Sequence, residues 1–532
     1  MHFYLFRLQG WFVSRQKIRI RMTMRAYRKA NLQTFRAIRE RFVDAKVSEA
    51  KQTASKLVFG VCQQHADIVV KQLLIQRLAG GELTKRNLYQ IGSNTKSLSY
   101  AMPAAWLEIL EEHGFGVSKR KSLVVWHTLI LKYWVLGLFT GLKILLSGVI
   151  NTLQKREGAK KGFVHFMGLS SSNLPPASGE GYDILSWYKS WRNRRLDLQV
   201  RHDVLAATNS RCDCDYLQPP YLSLRGGKQL INYCCWFFKS VILSAGHALR
   251  GDWWNAFVLP EAIRAKAMSL VSNDFVAEEY FFHYSGNVYR PMWTYEAAKR
   301  GAQITCYFYS TSENISMEKQ RASQRYEWGA ANWPKYLVWD SYQEKTIRAE
   351  IDGVYDVEVV GPIYFASLNN ELPALSYPSV AVFDVPPHRR SAHFGITTLG
   401  EYLRRFPCIQ HRFLEDIYEV LLKSNVHMAV KQKRDIGPRG EKRYGRLLKQ
   451  LEAQSSVTLV PPACSAIPLV RICQATISFP FTSTALYAQN EGRPSAYYDP
   501  MSWIAFDDPA ARGLPVLRGR DELSSWIASV FD

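Results

Sequence analysis

From Val380 to the C-terminus, short apolar runs alternate with amphipathic segments about every 25 residues, and no other feature narrows the fold of this 532-residue chain as far. The series begins with VAVFDV and continues through a helix around FLEDIYEVLLKS, the strand VHMAVKQK, a basic helix at EKRYGRLLKQLE and the strand VTLVPP. A helix around AIPLVRICQA, the strand TISFPF, a helix on TALYAQNEG, the strand PSAYYDP and a last helix, DELSSWIASVF, complete it. Strand, helix and strand joined by short loops predict a doubly wound parallel sheet.

A second series precedes the first. FVHFMGL, AQITCYFYS, KYLVWDS and VEVVGPIYF are strand candidates, with ILSWYKSWRNR as a helix after the first of them. The polar, Pro-bearing segment 367–379 is a linker. The chain therefore divides into a basic and apolar helical region (1–160), an α/β domain (161–366) with an inserted apolar helical segment near 228–250, the linker (367–379) and a C-terminal α/β domain (380–532). Two such domains flanking a linker form a cleft.

Charge bears on the partner. The 68 Lys and Arg against 46 Asp and Glu leave +22, which calls for an anionic surface or ligand. Ten of these cations fall within residues 15–41 beside a single acid, Glu40. Residues 123–150 are the most apolar stretch, long enough to span a bilayer. At about 100° per residue, however, Lys121, Lys132, Lys143 and nearby Thr and Ser positions share one arc of about 120°. A narrow lysine stripe on an apolar helix suits an in-plane interfacial helix, with a spanning helix and a buried core helix as the alternatives. Residues 230–249 repeat the arrangement around Lys228, Lys239 and Arg250, and the two stretches could also pair with each other as a helical hairpin. The nine cysteines are odd in number and show no recurring spacing, which places the chain in a reducing compartment. The first residues carry Arg7 inside a short apolar run and are not read as a signal peptide.

In open parallel sheets, ligands bind at the carboxyl ends of strands, where helix N-termini offer free N–H groups. Two loops of the C-terminal domain occupy such positions. Lys431, Lys433 and Arg434 end the strand VHMAVKQK and can neutralise a diphosphate. Thr482, Ser483 and Thr484 stand where strand becomes helix, so their hydroxyls and N–H groups either cap the helix or hold a phosphate. No Walker-type P-loop and no Ser-nucleophile elbow is present.

These motifs carry a resemblance. PFTST, with SWY, RPMWTYEAAKRG, YFYST, WPKYLVWD, VVGPIYF, VFDVPPHR and KQKR, resembles the bacterial polysaccharide-biosynthesis PFTS-motif proteins from about residue 163 onward. That family is similar to GT-B glycosyltransferases of surface-polysaccharide assembly. The resemblance implies a GT-B-like α/β fold and transfer of a sugar from a nucleotide-activated donor to a growing polysaccharide or lipid-linked acceptor. Relatives that use CMP-activated acidic sugars, such as Kdo or sialic acid, carry a His-Pro pair where this chain has Gln432-Lys433. It further implies metal-independent chemistry without a cofactor, the nucleotide-sugar being substrate. The expected place of work is the cytoplasmic face of the inner membrane, as a peripheral or monotopic protein on an anionic lipid surface.

Such a transferase needs a carboxylate or His that deprotonates the acceptor or attacks the anomeric carbon. Glu279, Asp340 and His388 are the leading candidates, with Glu278 and Asp384 beside them. Glu279 is favoured for the polar, Gly-bearing SGN that follows its apolar run. Two other classes stay open: a scaffold for polymer assembly that has lost catalysis, and a basic nucleic-acid-binding protein. The second is disfavoured because most aromatics fall in strands or apolar helices rather than on a shared basic surface.

Overall fold

The computed structural model describes residues 119–154, 162–169, 184–191, 199–202, 214–250, 254–284, 290–308, 333–350, 355–362, 372–387, 407–433, 440–462, 464–502 and 508–531, with residues 437 and 504. Among these, two parallel sheets carry the fold. The first contains β1 (Phe163–Met167), β2 (Gln199–His202), β3 (Asp215–Tyr216), β4 (Glu279–Tyr284), β5 (Gln303–Phe308), β6 (Lys335–Val338) and β7 (Asp356–Val359), in the order β3-β2-β1-β4-β5-β6-β7. The second contains β8 (Ser379–Asp384), β9 (His427–Gln432), β10 (Val457–Val460), β11 (Ala475–Ser478), β12 (Ser495–Asp499) and β13 (Val516–Arg518), in the order β10-β9-β8-β11-β12-β13.

Period-two alternation explains why both sheets are buried on both faces. In β8 and β9, Val380, Val382, Met428 and Val430 enter one core, while Ala381, Phe383 and Ala429 enter the other. The first sheet behaves alike: Phe163, Tyr280 and Phe282 face one layer, and Val164, Phe166 and Phe281 the opposite one. Helices cover these faces. In the first unit they are α1 (Lys119–Leu153), α2 (Ile184–Trp191), α3 (Gly227–Leu249), α4 (Trp254–Leu270), α5 (Met292–Lys299) and α6 (Ser341–Glu350). In the second they are α7 (Pro407–Lys423), α8 (Lys442–Glu452), α9 (Ala466–Ile472), α10 (Ser483–Asn490) and α11 (Gly519–Phe531). Two doubly wound α/β units in tandem are the GT-B-like arrangement.

The apolar segment near 228–250 forms α3, which with α4 connects edge strand β3 back to central strand β4. α1 packs onto the same unit, where Ile144 joins the core of Phe237, Leu259 and Tyr280. Close approach is set by small residues. A Cβ at Gly137, Gly141 or Gly148 would collide with Leu259, Phe237 or Leu230 respectively. Asn151, buried, donates to the Leu222 carbonyl at 2.8 Å and satisfies the chain between β3 and α3. The basic segment 15–41 lies outside the described residues.

Candidate functional site

Strand order locates the site before any side chain does. From β8 the chain moves outward to β9 and β10, then returns to place β11 on the other side of β8. The gap between the carboxyl ends of β8 and β11 is therefore a topological switch point, where open α/β sheets bind ligands. Asp384 ends β8, and the PFTS segment follows β11 directly.

PFTS forms a tight turn. The Phe479 N–H reaches the Phe383 carbonyl at 2.8 Å, extending the ladder one residue past the strand, and the Thr482 N–H then closes on the Phe479 carbonyl at 3.2 Å. Pro480 supplies the fixed φ of the second turn position. Phe481 takes the left-handed conformation, φ 59°, which a bulky side chain rarely adopts. Its ring is held edge-on against Tyr497, with centroids 5.4 Å apart, and the Tyr497 hydroxyl donates to the Thr482 carbonyl at 3.2 Å.

The hydroxyls resolve into two groups. Thr482 is buried and donates to the Phe479 carbonyl at 2.9 Å, so its side chain braces the turn and makes no capping bond to α10. Thr484 lies 3.1 Å from the Ser478 hydroxyl and 3.3 Å from that of Thr482. Ser483, half-buried at the first position of α10, bonds no other described residue. With no side-chain cap on α10, the Ala485 N–H bonds the Thr482 carbonyl at 3.4 Å, while the N–H groups of Ser483 and Thr484 bond no described residue and are available to an anion.

Across the switch point stands Asp384, fully buried, with neither carboxylate oxygen hydrogen-bonded to a described residue. Burial pushes its pKa up to about 8, against the opposing pulls of its own backbone N–H and of the Lys431 ammonium. Lys431 is itself buried and donates to the carbonyls of Gln432 and Pro462, each at 3.3 Å; burial lowers its pKa, while Cys464 and Asp384 raise it. Lys433 is exposed just past the strand end. Arg434 and His388 lie outside the described residues.

The N-terminal candidates separate. Glu278 and Glu279 mark the amino end of β4, away from the ligand-binding edge: the Glu278 N–H bonds the carbonyl of Phe163, the first residue of β1. Glu279 is fully buried and accepts from the Tyr188 hydroxyl at 2.5 Å and the Thr305 hydroxyl at 2.6 Å. Its oxygens therefore serve a buried network joining α2, β4 and β5. Asp340 does lie at a carboxyl end, just past β6, where it accepts from the Gln343 N–H at 2.8 Å and pairs with Arg512 of the second unit. A residue that strand-end reasoning did not reach is His283, near the carboxyl end of β4 and buried, stacked on Tyr307 with centroids 5.8 Å apart. Burial pulls its pKa down to about 3 and keeps the imidazole neutral. The signal was available in EYFFHY, once that run is taken as a central strand.

Among the described residues, no group of three or more His, Cys, Asp or Glu side chains is placed to hold a metal ion. The arrangement offers the N–H groups of Ser483 and Thr484 and the Ser483 hydroxyl, none of them bonded to a described residue, for phosphate oxygens. It also offers a carboxyl group that is protonated at neutral pH and so is able to donate a hydrogen bond or a proton.

Residues 236–527 match the family of the polysaccharide biosynthesis PFTS motif protein. The chain belongs to that family. No curated protein matches it. Among solved structures, UDP-GlcNAc 2-epimerase from Methanocaldococcus jannaschii is similar at 10% identity and a TM-score of 0.37, over 70% of this chain and 93% of that one. A UDP co-structure of MnaA from S. aureus follows at 8% and 0.36, over 70% and 88%. The wall teichoic acid polymerase TagF is similar at 9% and 0.34, over 75% and 87%. At these scores the likenesses carry no argument, and the two parallel sheets of the PFTS-family chain stand on their own geometry.

Proposed function

We propose that this PFTS-family chain is a glycosyltransferase of polysaccharide biosynthesis, which moves a sugar from a nucleotide-activated donor to a glycan or lipid-linked acceptor. The observation that carries the reading is Asp384: a buried carboxyl without a hydrogen-bond partner among the described residues, beside the uncapped N-terminus of α10 at the switch point of the C-terminal sheet. A buried polar group left unpaired costs about 1–3 kcal/mol, a penalty that a bound ligand removes.

In this mechanism the first-turn N–H groups of α10 and the Ser483 hydroxyl bind the donor phosphates, and Lys433 with Arg434 offsets their charge. Lys431 tunes Asp384 from behind. The neutral Asp384 carboxyl donates to the departing nucleotide, whose charge grows as the glycosidic bond to phosphate breaks. The acceptor hydroxyl loses its proton to a group on the cleft side, where Asp340 and His283 of the N-terminal unit and His388 of the C-terminal one are the candidates. Glu279 fits a supporting role better, given its two buried hydrogen bonds. The donor is a nucleotide-sugar, with a CMP-activated acidic sugar one member of the class, and no metal takes part. The enzyme works peripherally at the cytoplasmic face of the inner membrane, where lipid-linked acceptors are found.

Thermal unfolding of the full chain against a panel of CMP, UDP, GDP and TDP tests this directly. A nucleotide present at about 100 times its Kd adds about 2.7 kcal/mol of stability. One base should stabilise the wild type and lose its effect in Ser483→Ala. A wild type indifferent to every nucleotide would sink the transferase reading and favour a scaffold that keeps only the fold.

A further inference from the structure

The antiparallel pair of α1 and α3 presents an outer face on which large apolar side chains are exposed among the described residues. The pairing follows from contacts that run in opposite senses along the two helices: the Trp134 indole donates to the Val241 carbonyl at 3.1 Å, Gly141 abuts Phe237, Gly148 abuts Leu230, and the Gly226 N–H reaches the Thr152 hydroxyl at 3.0 Å. On α1, Leu131, Phe139 and Leu146 are 59–63% exposed; on α3, Ile231, Ile242 and Leu249 are 64–90% exposed. These are large apolar side chains in two stripes on neighbouring helices, more than singly scattered surface residues account for.

Cations border both stripes on the same rotational side. With Leu131 at zero, about 100° per residue places Leu142, Leu146 and Phe139 within about 80°, and Lys132 and Lys143 at about 100° and 120°. With Ile231 at zero, Ile242 falls at about 20°, Lys228 and Lys239 at about 60–80° and Arg250 at about 100°. All five cations are exposed. Two helices distant in sequence thus repeat one design, an apolar stripe flanked by ammonium or guanidinium groups.

We infer that the α1/α3 face is an in-plane docking surface for an anionic phospholipid bilayer. The stripes enter the acyl boundary while the bordering cations stay with the phosphates, whose charge attracts them. The helix from Ile130 to Leu153 is long and apolar enough to cross a membrane. Yet Ile144, Gly141, Gly148 and Asn151 fasten it to the body of the protein over most of that length, which sets it in the plane rather than across it. This inference rests on the membrane part of the reading above and is independent of the transfer chemistry.

The test is co-sedimentation of the full chain with vesicles of phosphatidylglycerol and phosphatidylethanolamine, and with vesicles of phosphatidylcholine alone. Leu146→Glu with Ile242→Glu alters only exposed positions and should lower partitioning to the anionic vesicles at least tenfold at unchanged thermal stability. Lys132→Glu with Lys143→Glu and Lys239→Glu should lower it too, and added salt should mimic that effect on the wild type. Three results would overturn the inference: wild type that ignores both vesicles, which also removes the membrane reading; binding untouched by the Leu146 and Ile242 changes, which leaves another segment as the anchor; or retention through alkaline extraction, which indicates a spanning helix. Concentration-dependent self-association abolished by Leu146→Glu, without vesicle binding, would make the face a contact between copies. Nucleotide stabilisation measured on the same samples keeps the transferase reading separate from all of these.

Discussion

Arg512 of the second α/β unit clasps Asp340 of the first, reaching it through Nε and, at 3.3 Å, through Nη2, with its guanidinium 4.9 Å from the centre of the Tyr342 ring. Asp340 also caps α6 through the Gln343 N–H, so a single carboxylate both starts a helix and ties the two units together. Arg512 itself is only 12% exposed at its side chain, which limits solvent screening. Asp340→Asn and Arg512→Ala should each destabilise the protein by about 1–2 kcal/mol, and a double-mutant cycle should show coupling of at least about 0.5 kcal/mol. If Asp340 instead acts on the acceptor, Asp340→Asn will abolish transfer while Arg512→Ala leaves turnover nearly intact. Urea unfolding and turnover measured on the same three variants separate the two roles.

Asp384 makes stability depend on pH in a defined direction. Its pKa is raised in the folded state to about 8, whereas an unfolded carboxyl titrates near 3.9. The folded form therefore holds a proton that the unfolded form has released. Its favourable contribution is complete below the unfolded pKa and is lost as pH rises through about 8, at up to about 1.4 kcal/mol per pH unit in between. Asp384→Asn removes this dependence. The stability of the variant relative to wild type should increase by more than about 1 kcal/mol between pH 5 and pH 8, measured by urea unfolding. A constant difference across that range would show that Asp384 ionises normally.

How far the sequence disclosed this molecule depended on burial. Strands such as VAVFDV and VHMAVKQK are apolar on both faces and flanked by turn residues, so their place in a two-sided parallel sheet was legible. QVRH and Asp215–Tyr216 are short and polar; the first pairs with β1 and the second with the first, a tertiary effect that no local pattern carries. EYFFHY escaped notice for another reason: two acids at its start drew attention as chemistry, whereas Glu279 is sunk at the amino end of the strand by Tyr188, a residue 91 positions earlier. The lysines of KQKR were read as one cluster, but Lys431 lies within β9 and is buried, whereas Lys433 falls past the end of the strand at Gln432 and is exposed. The glycines at 137, 141 and 148 fall on one face of α1 and pack it against α3 and α4, a contact that the lysine stripe did not disclose although a core helix and a helical hairpin were among the readings of these stretches.

The PFTS turn separates bracing from binding. Thr482→Val removes the hydroxyl that holds the Phe479 carbonyl and should cost about 1 kcal/mol of stability. Thr482→Ser retains that donor and should recover most of it. Ser483→Ala touches no hydrogen bond to a described residue, so its melting temperature should match wild type while donor affinity falls. Calorimetric unfolding and nucleotide titration of the three variants decide the assignment, which fails if Ser483→Ala binds the donor as tightly as wild type.

Lys431 and Lys433 should differ in kind, although they are two residues apart. Lys431 is buried, donates to two carbonyls and lies in the field of Asp384, so Lys431→Ala removes a positive charge that opposes the rise in the Asp384 pKa. It should destabilise the protein and move the acid limb of Asp384 further upward, visible as a shift in the pH dependence of nucleotide binding. Lys433 is exposed, and Lys433→Ala should leave stability within about 0.5 kcal/mol of wild type. If its ammonium faces the donor phosphates, donor affinity or turnover should drop at least tenfold, which is about 1.4 kcal/mol, and the loss should shrink as salt is added. Unchanged donor kinetics in Lys433→Ala would remove this residue from the phosphate site and leave the N-terminus of α10 as its principal contact.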